Sequence, residues 1–298
     1  MNHLIQLVSS GLALGAVYAL VAVGLVIVYR ASAVFNFAQG EFLSIGAFSM
    51  VALLDRGLPW GVALTGAMTL AGLAAALVGR GLMRPLSGRP VLIGTVLTVF
   101  IGFLLRATIS GWFGGEPRPM PTPWTATGFF EIRETRIPWN ALASCAAAAI
   151  VLAGFFVLMH RTRLGVALRA TASDPETALA QGIPVGRMLG LTWFLSGAIA
   201  AVGGVCLGMF PGKVDPNIGL SALGALPAVI LGGLQSHVGA VVAGLSLGTL
   251  QVLAKEFFNP ALGELGHDFH EVFPYLLMVV VLAVRPHGLF ADRAVARV

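Results

Sequence analysis

Residues 4–29 read LIQLVSSGLALGAVYALVAVGLVIVY, an apolar run without a charged side chain. About 20 consecutive apolar residues are enough to cross a bilayer as an α-helix, and comparable runs recur to the far end of this 298-residue chain. A signal peptide would have a basic start, a shorter apolar part and a small-residue cleavage site. This run has none of these features, so we interpret it as the first of several retained membrane helices.

The composition points to the same class of protein. Hydrophobic residues make up 57% of the chain and charged residues 10%, whereas about a quarter of the residues in soluble domains are charged. Strands of a membrane β-barrel would alternate polar and apolar residues, and these runs do not. We therefore predict an all-α integral membrane protein, a polytopic bundle of about eight transmembrane helices, with nine as the alternative.

The number of spans depends on two adjoining stretches near the end of the chain. The candidate spans are residues 4–29, 38–54, 60–79, 91–110, 139–159, 188–210, 219–235, 237–254 and 272–284. The stretch 219–235 ends in Gly232-Gly233 and abuts the next one. If the count is eight, we expect one of these two stretches to be partial or re-entrant.

Charged residues sort the connecting segments into two groups. Three segments are strongly basic and should face the cytoplasm by the positive-inside rule. Their arginines are Arg80, Arg84 and Arg89, then Arg161, Arg163, Arg169 and Arg187, and finally Arg285, Arg293 and Arg297. Residues 111–138 hold balanced charges and four prolines, which indicates an external loop with a short hairpin at 129–138. Residues 255–271 are mainly acidic and are expected outside as well. The net charge of +5 then reflects membrane topology, and no nucleic-acid partner is expected.

The basic loop of residues 160–187 contains the polar stretch ATASDPETALAQGIP, which has helix start and stop signals. One alternative is a capping box formed by Ser173 and Glu176. The other has Asp174 as the N-cap and Pro175 as the first helical residue. Both alternatives predict a helix of about two turns in a cytoplasmic loop.

The same helix has a defined end. Gly182 suits the left-handed position that follows a helix, and Pro184 prevents continuation. A helix of two turns is marginal in water and needs a surface to pack against. Three alternatives remain: a docking helix that inserts into a cytoplasmic partner, a connector lying on lipid headgroups, and an irregular loop.

Four stretches of the chain resemble one known family. These are GLALGAVYALVAVGLVIVYRASAVFNFAQGEFLSIGAF (11–48), LGVALRATASDPETALAQGIPVGRM (164–188), AVILGGLQSHVGAVVAGLSLGTLQ (228–251) and VRPHGLF (284–290). They are similar to permeases of branched-chain amino acid ABC importers, specifically of the LivH type, and the resemblance covers nearly the whole chain. Members of this family usually have His where this chain has Gln39.

The resemblance implies a single transmembrane permease domain over residues 1–298, located in the bacterial inner membrane. It also implies partners besides the lipid bilayer: a second permease subunit of the LivM type, two ATP-binding subunits and an extracytoplasmic solute-binding protein. The expected solutes are branched-chain or other neutral amino acids. Urea, short amides and small carboxylic or aromatic acids are alternatives within the same family.

The energy for transport is expected to come from other subunits. The chain lacks the G-x-x-x-x-G-K-[ST] phosphate-binding motif, so ATP and magnesium are expected on the ATP-binding partners, with no cofactor in this chain and no enzymatic activity. Closure of those partners would move the short helix and switch the permease pair between outward- and inward-open states. The residues expected to couple this chain to the ATP-binding subunits are Arg169, Ser173, Asp174, Pro175, Glu176, Thr177, Ala178, Gln181, Gly182 and Ile183.

Polar residues beside the apolar runs are candidates for the translocation path. Asn36, Phe37, Gln39 and Glu41 either hold a broken helix start at the cytoplasmic interface or line the path. An ionised glutamate at membrane depth must be paired or hydrated. Arg106 lies late in an apolar run, and we expect its side chain to extend to the outer interface.

Glycines spaced one helical turn apart let two helices approach closely. Three such pairs occur: Gly11 and Gly15, Gly204 and Gly208, and Gly244 and Gly248. Packing inside the bundle is the simpler explanation of each pair, and a subunit interface is the alternative.

Other motifs favour neither catalysis nor metal binding. GLSLG (244–248) matches the G-x-S-x-G motif around Ser246, but an intramembrane serine hydrolase would need a different local structure. HDFHE (267–271) offers too few ligands for a metal site, and Cys145 and Cys206 suggest no disulfide or metal cluster. We expect no catalytic residue and no metal. A self-sufficient channel or secondary transporter is a further alternative.

Overall fold

The computed structural model describes residues 2–83, 90–125, 128–132, 135–210, 212–261, 263, 268–286 and 288–290. Most of them are helical. The α-helices are α1 (Asn2–Ser32), α2 (Gln39–Asp55), α3 (Trp60–Leu77), α4 (Val91–Phe113), α5 (Trp139–Arg161), α6 (Arg163–Ser173), α7 (Pro175–Ala180), α8 (Val185–Met209), α9 (Leu226–Gly232), α10 (His237–Ala261) and α11 (Phe269–Val284). A π-helical segment, Val78–Met83, continues α3, and a 3₁₀ helix, Ile218–Ala225, leads into α9.

Within the described ranges, six helices are long and apolar enough to cross a bilayer. They are His3–Ser32, Trp60–Gly81, Val91–Phe113, Trp139–Arg161, Val185–Met209 and His237–Pro260. Three shorter segments fall on the other candidate spans: α2 with 17 residues, α11 with 16 residues, and the 3₁₀ helix with α9. The stretch predicted at 219–235 is therefore a broken helix.

The centre of the bundle consists of α1, α2 and α8. Of the most apolar 18 residues of α1, 89% are buried, compared with 78% for α8 and 28% for α4 and for α5. Added Cβ atoms on Gly46 and Gly204 would overlap Ala201 and the Leu43 carbonyl, so the α2 and α8 backbones lie in direct contact. Gly208, which was predicted to pair with Gly204, packs against Val214, a residue that follows α8.

Helices α1 and α10 cross through glycines. A Cβ on Gly248 would overlap the backbone of Gly15, and a Cβ on Gly244 would lie 2.6 Å from the Ala19 nitrogen. Gly11 packs one turn earlier on α1 against the same helix. The order of these contacts makes α1 and α10 antiparallel. All three predicted pairs thus pack within the chain.

The chain also traverses the bundle between α8 and α10. The Ser196 hydroxyl lies 2.8 Å from the Gly24 carbonyl oxygen of α1, and further along α8, a Cβ on Gly203 would lie 3.8 Å from Val17. Helix α8 is therefore antiparallel to α1 and parallel to α10. The link between them must return along the bundle, and it contains the 3₁₀ helix and α9.

Two small antiparallel sheets lie outside the helices. The predicted hairpin at 129–138 is confirmed, because β2 (Phe129–Ile132) pairs with β3 (Thr135–Pro138) in the register Phe129↔Pro138. Strand β1 (Arg118–Pro119) pairs with β4 (Lys213–Val214), which ties the loop before α5 to the end of α8. Several residues used in the charge and metal predictions lie outside the described residues: Arg84, Arg89, Glu264, His267, Arg293 and Arg297.

Candidate functional site

The link between α1 and α2 is irregular and lies inside the bundle. Ala33, with φ of 55°, ends the helical path after Ser32. The chain then turns back, so that a Cβ on Gly24 would overlap the Gln39 side chain. Gly24 lies about 12 Å before the end of α1 along the helix axis. Helix α2 therefore starts well inside the length of α1, which disfavours a position at the end of the bundle for its first residues.

A buried network of amides and a hydroxyl holds this start in place. The Asn36 side chain accepts from the Ala38 N–H at 3.1 Å and donates to Gln39 Oε1 at 3.1 Å. Gln39 Nε2 donates to the Ser196 carbonyl at 3.3 Å, and the Ser196 hydroxyl lies 2.8 Å from Gln39 Oε1. The network ties α1, α2 and α8 together and provides partners for polar groups that would be costly to bury alone.

Glu41 lies one turn into α2 and forms an ion pair with Arg106 of α4. Glu41 is 3% exposed. Its Oε1 accepts from Arg106 Nε at 3.0 Å and also from Nη2. Its Oε2 is buried without a hydrogen-bond partner among the described residues. Arg106 was expected to extend to the outer interface, and the structure adds an ion pair with Glu41 that the sequence patterns did not predict.

A small cavity of about 40 Å³ adjoins this pair. Its walls include Asn36, Gln39, Glu41, Arg106 and the 3₁₀ helix. Phe37 is 42% exposed beside it, and its N–H donates to Thr98 Oγ1 at 3.0 Å. Irregular backbone at membrane depth is tolerated only where protein covers it or water lines it. This face is therefore unsuited to contact with lipid.

The predicted short helix is α7, and its start follows the second alternative. Asp174 is the N-cap, and its Oδ1 accepts from the N–H groups of Glu176 at 3.0 Å and Thr177 at 3.1 Å. Pro175 occupies the first helical position. Ser173 is instead the last residue of α6, a helix that the sequence patterns did not indicate, so the capping-box alternative is wrong.

Hydrogen bonds from Thr177 to the exposed Asp174 carboxylate strengthen this cap. The Thr177 hydroxyl donates to Oδ2 at 2.5 Å. This bond, followed by the Thr177 and Glu176 backbone N–H groups, lowers the pKa of the Asp174 carboxyl, and slight desolvation opposes the effect. The cap is therefore ionised at neutral pH, where its negative charge complements the positive end of the helix dipole.

The end of α7 is a complete Schellman motif. The Ile183 N–H donates to the Ala178 carbonyl at 3.0 Å, and the Gly182 N–H donates to the Leu179 carbonyl at 2.9 Å. Gly182 has φ of 81°, as its predicted position requires. Capping hydrogen bonds at both ends thus define the start and the end of this six-residue helix.

The two faces of this segment differ in exposure. Ala178 is buried at 3%, whereas Leu179 is 63% exposed. Leu164 and Val166 of α6 are also exposed, at 49% and 54%. Of the remaining candidates, Arg169 and Ile183 are half-buried, and Ser173, Asp174, Pro175, Glu176, Thr177, Gln181 and Gly182 are exposed. Helices α6 and α7 thus present apolar side chains to their surroundings.

The structure brings together only part of the predicted site residues. The path candidates form one cluster near α1, while the coupling candidates lie on α6, α7 and the turn that follows. Sequence patterns missed Ser196 and the pairing of Arg106, which is 65 residues from Glu41. Two isolated charges in separate apolar runs were the available signal for that pair, since membrane charges pair with one another.

Local structure also bears on the catalytic and metal motifs. Ser246 lies inside α10, whereas a nucleophile elbow requires a strand, a turn and a helix. Across the described part of the chain, no three His, Cys, Asp or Glu side chains are placed to hold a metal ion.

Comparisons with known proteins give one consistent family. A family model described as the permease component of branched-chain amino acid transport systems matches residues 7–282. The high-affinity branched-chain amino acid permease protein LivH of Escherichia coli (strain K12) is 28% identical over 99% of this chain and 98% of its own length. The corresponding protein BraD of Pseudomonas aeruginosa is 29% identical with the same coverage. The autoinducer 2 import system permease protein LsrD of Escherichia coli O9:H4 is 27% identical over 71% of this chain and 65% of its own length.

Proposed function

The chain belongs to the family of permease components of branched-chain amino acid transport systems, and on that premise we propose that it carries branched-chain or other neutral amino acids into bacteria by ATP-driven alternating access. The family match over residues 7–282 carries this proposal. The named functions of the two relatives that align end to end, LivH and BraD, support the same solute class.

The proposed assembly contains this chain in the bacterial inner membrane, a second permease of the LivM type, two ATP-binding subunits and an extracytoplasmic solute-binding protein. ATP and magnesium bind the ATP-binding subunits. The doubly capped α7 and the exposed Leu179 support a role as the coupling helix. An apolar side chain on a short, fixed helix is suited to insertion into a groove of a partner subunit.

The basic segments give the orientation of the bundle. Arg161 and Arg187 flank α6 and α7, and Arg163 is the first residue of α6. The positive-inside rule assigns such segments to the cytoplasm. Because α8 and α10 are parallel, the broken segment of the 3₁₀ helix and α9 must return between them. We therefore favour nine crossings, the upper value of the predicted count, with this segment as the discontinuous one.

The translocation path is proposed to run along the face that carries Phe37, Glu41, Arg106 and the 3₁₀ helix. A charged pair and two irregular segments meet there, and discontinuous helices commonly form substrate sites in membrane transporters. The second permease would cover this face, so that water and solute, rather than lipid, contact the ion pair.

A different solute is the alternative within this family. The name of LsrD refers to import of autoinducer 2, so a permease of this kind is compatible with solutes other than amino acids. Urea, short amides and small carboxylic or aromatic acids remain the alternatives for this chain. Selectivity in such a system would reside largely in the solute-binding protein.

The proposal is tested by co-expressing the chain with its neighbouring genes, purifying it in mild detergent and measuring ATP hydrolysis. We expect two ATP-binding subunits and a second permease in the complex, with hydrolysis stimulated by the loaded binding protein. Isolation of this chain alone, together with transport by the chain alone in liposomes, would contradict the proposal and favour a self-sufficient transporter.

A further inference from the structure

A second, larger cavity lies between α1, α10, α11 and the 3₁₀ helix. Its volume is about 770 Å³, within the range of roughly 300–1,000 Å³ typical of small-molecule sites. It extends from Tyr18, in the middle of α1, to the end of the bundle where α10 finishes and α11 begins. The orientation proposed above makes this the extracytoplasmic half of the protein.

Two opposite charges line this cavity from different helices. Lys255 belongs to α10 and Glu271 to the first turn of α11. Both side chains are exposed, and neither forms an ion pair with any residue that the structure describes. Among the described residues, the cavity therefore offers one ammonium group and one carboxylate without an ion-pair partner.

The rest of the lining suits an aliphatic group. Leu14, Leu207 and Val252 contribute apolar surface. At the deep end, the Tyr18 hydroxyl donates to Gln251 Oε1 at 2.7 Å, so these two polar side chains satisfy each other. A ligand that fits these walls has charged groups that face Lys255 and Glu271 and an aliphatic group that contacts the apolar side chains.

The large cavity and the small one beside Glu41 share a wall. Leu220 and Leu223 of the 3₁₀ helix line both. The Tyr275 hydroxyl donates to the Leu223 carbonyl at 3.0 Å and so connects α11 to this wall. The 3₁₀ helix thus lies between the large cavity and the small cavity beside the ion pair of Glu41 and Arg106.

We propose that this cavity is a receiving site for an apolar amino acid zwitterion, with Lys255 binding the carboxylate, Glu271 binding the ammonium group and the leucine and valine side chains contacting the hydrocarbon. This inference rests on the proposed importer function and names the solute chemistry for which this chain adds its own selectivity to that of the solute-binding protein. Solute released by the binding protein would rest here before it passes the 3₁₀ helix.

The test is solute binding by the whole transporter in nanodiscs, without the binding protein, so that only permease selectivity is measured. The probe is radiolabelled leucine, with 4-methylpentanoate and 3-methylbutylamine as competitors that lack one charge each. We expect Lys255→Gln and Glu271→Gln each to weaken leucine binding about tenfold or more, since hydrogen bonds to charged groups are the stronger ones. The Lys255 variant should retain competition by the amine, and the Glu271 variant competition by the acid.

Two further variants control for structural damage. Lys255→Arg keeps the charge and should retain leucine binding. Glu256→Gln changes a neighbouring carboxylate that pairs with His3 and does not line the cavity, so it should bind leucine normally. Equal leucine affinity in all four variants, or competition by an uncharged alkyl chain such as decanol in place of leucine, would overturn the proposal and indicate a lipid pocket.

Failure of this inference differs from failure of the proposed function. Normal ATP-driven leucine uptake by both the Lys255→Gln and Glu271→Gln transporters would contradict the receiving site and would be compatible with the importer function. ATP-driven uptake of urea or an amide alone would keep the importer and contradict the zwitterion site. Absence of ATP-driven uptake of any solute by the wild-type complex would contradict the importer itself.

Discussion

Removing Arg106 should destabilise the protein more than removing its partner Glu41. The Glu41 side chain is 4% exposed and that of Arg106 is 27% exposed. Arg106→Leu leaves a buried carboxylate without its counterion, at a cost of about 3–5 kcal/mol. Glu41→Gln leaves a guanidinium that still reaches the surface, so the loss is closer to that of a charged hydrogen bond, about 1.5–3 kcal/mol. The double variant should cost less than the sum of the single ones.

The free energies of unfolding can be measured by titrating SDS into mixed micelles, with all variants purified in parallel. Arg136→Leu is the matched control, because Arg136 pairs with Glu131 at 3.6 Å with both side chains more than half exposed. Such a pair contributes about 0–1 kcal/mol. Equal costs for the two single variants, or strictly additive costs in the double variant, would refute the reasoning about burial.

Three other outcomes are expected. Ala178→Pro removes the hydrogen bond from the Ala178 N–H to the Asp174 carbonyl at 3.0 Å, so ATP-driven uptake should be lost while the purified protein stays folded. Ala180→Ser, at an exposed position of the same helix, should transport normally. Normal uptake by the proline variant would contradict coupling through α7. Because Thr177 lowers the pKa of the Asp174 carboxyl, the stabilising effect of the ionised cap is fully present above the unfolded pKa of about 3.9 and is lost as the pH falls through the lower folded pKa. The α7 amides should therefore be similarly protected from hydrogen exchange at pH 5 and pH 8, after correction for intrinsic rates. A loss of protection near pH 6 would be inconsistent with this assignment. Gly248→Ala adds a Cβ that overlaps the α1 backbone and should destabilise the protein by about 1–3 kcal/mol, whereas Gly154→Ala, which meets no atom within 4 Å, should be neutral or stabilising in the same unfolding assay.

The helices were predictable because membrane spans are local patterns. An apolar run of sufficient length must be helical in lipid, and the runs at 91–110 and 139–159 correspond to α4 and α5. The hairpin at 129–138 was likewise local. The start of α7 was also predictable from local residues, although the sequence allowed two alternatives. The hydrogen bonds that Asp174 accepts distinguish them.

Tertiary contacts account for what was missed. Gln39 and Ser196 are 157 residues apart, and nothing in either local pattern names the other. The segment 219–235 is apolar enough for a continuous helix, but it is a 3₁₀ helix followed by α9, with Pro227 near the junction. Helix α6 was missed because Arg163 and Arg169 obscure a short amphipathic pattern between two far stronger apolar runs.

The measurement that tests the importer account most directly is leucine uptake into proteoliposomes that contain this chain with its second permease and both ATP-binding subunits. Labelled leucine, ATP and the loaded binding protein are added separately and together. The account predicts uptake only when the complete complex, ATP and the binding protein are all present. Uptake by this chain alone without ATP would contradict it.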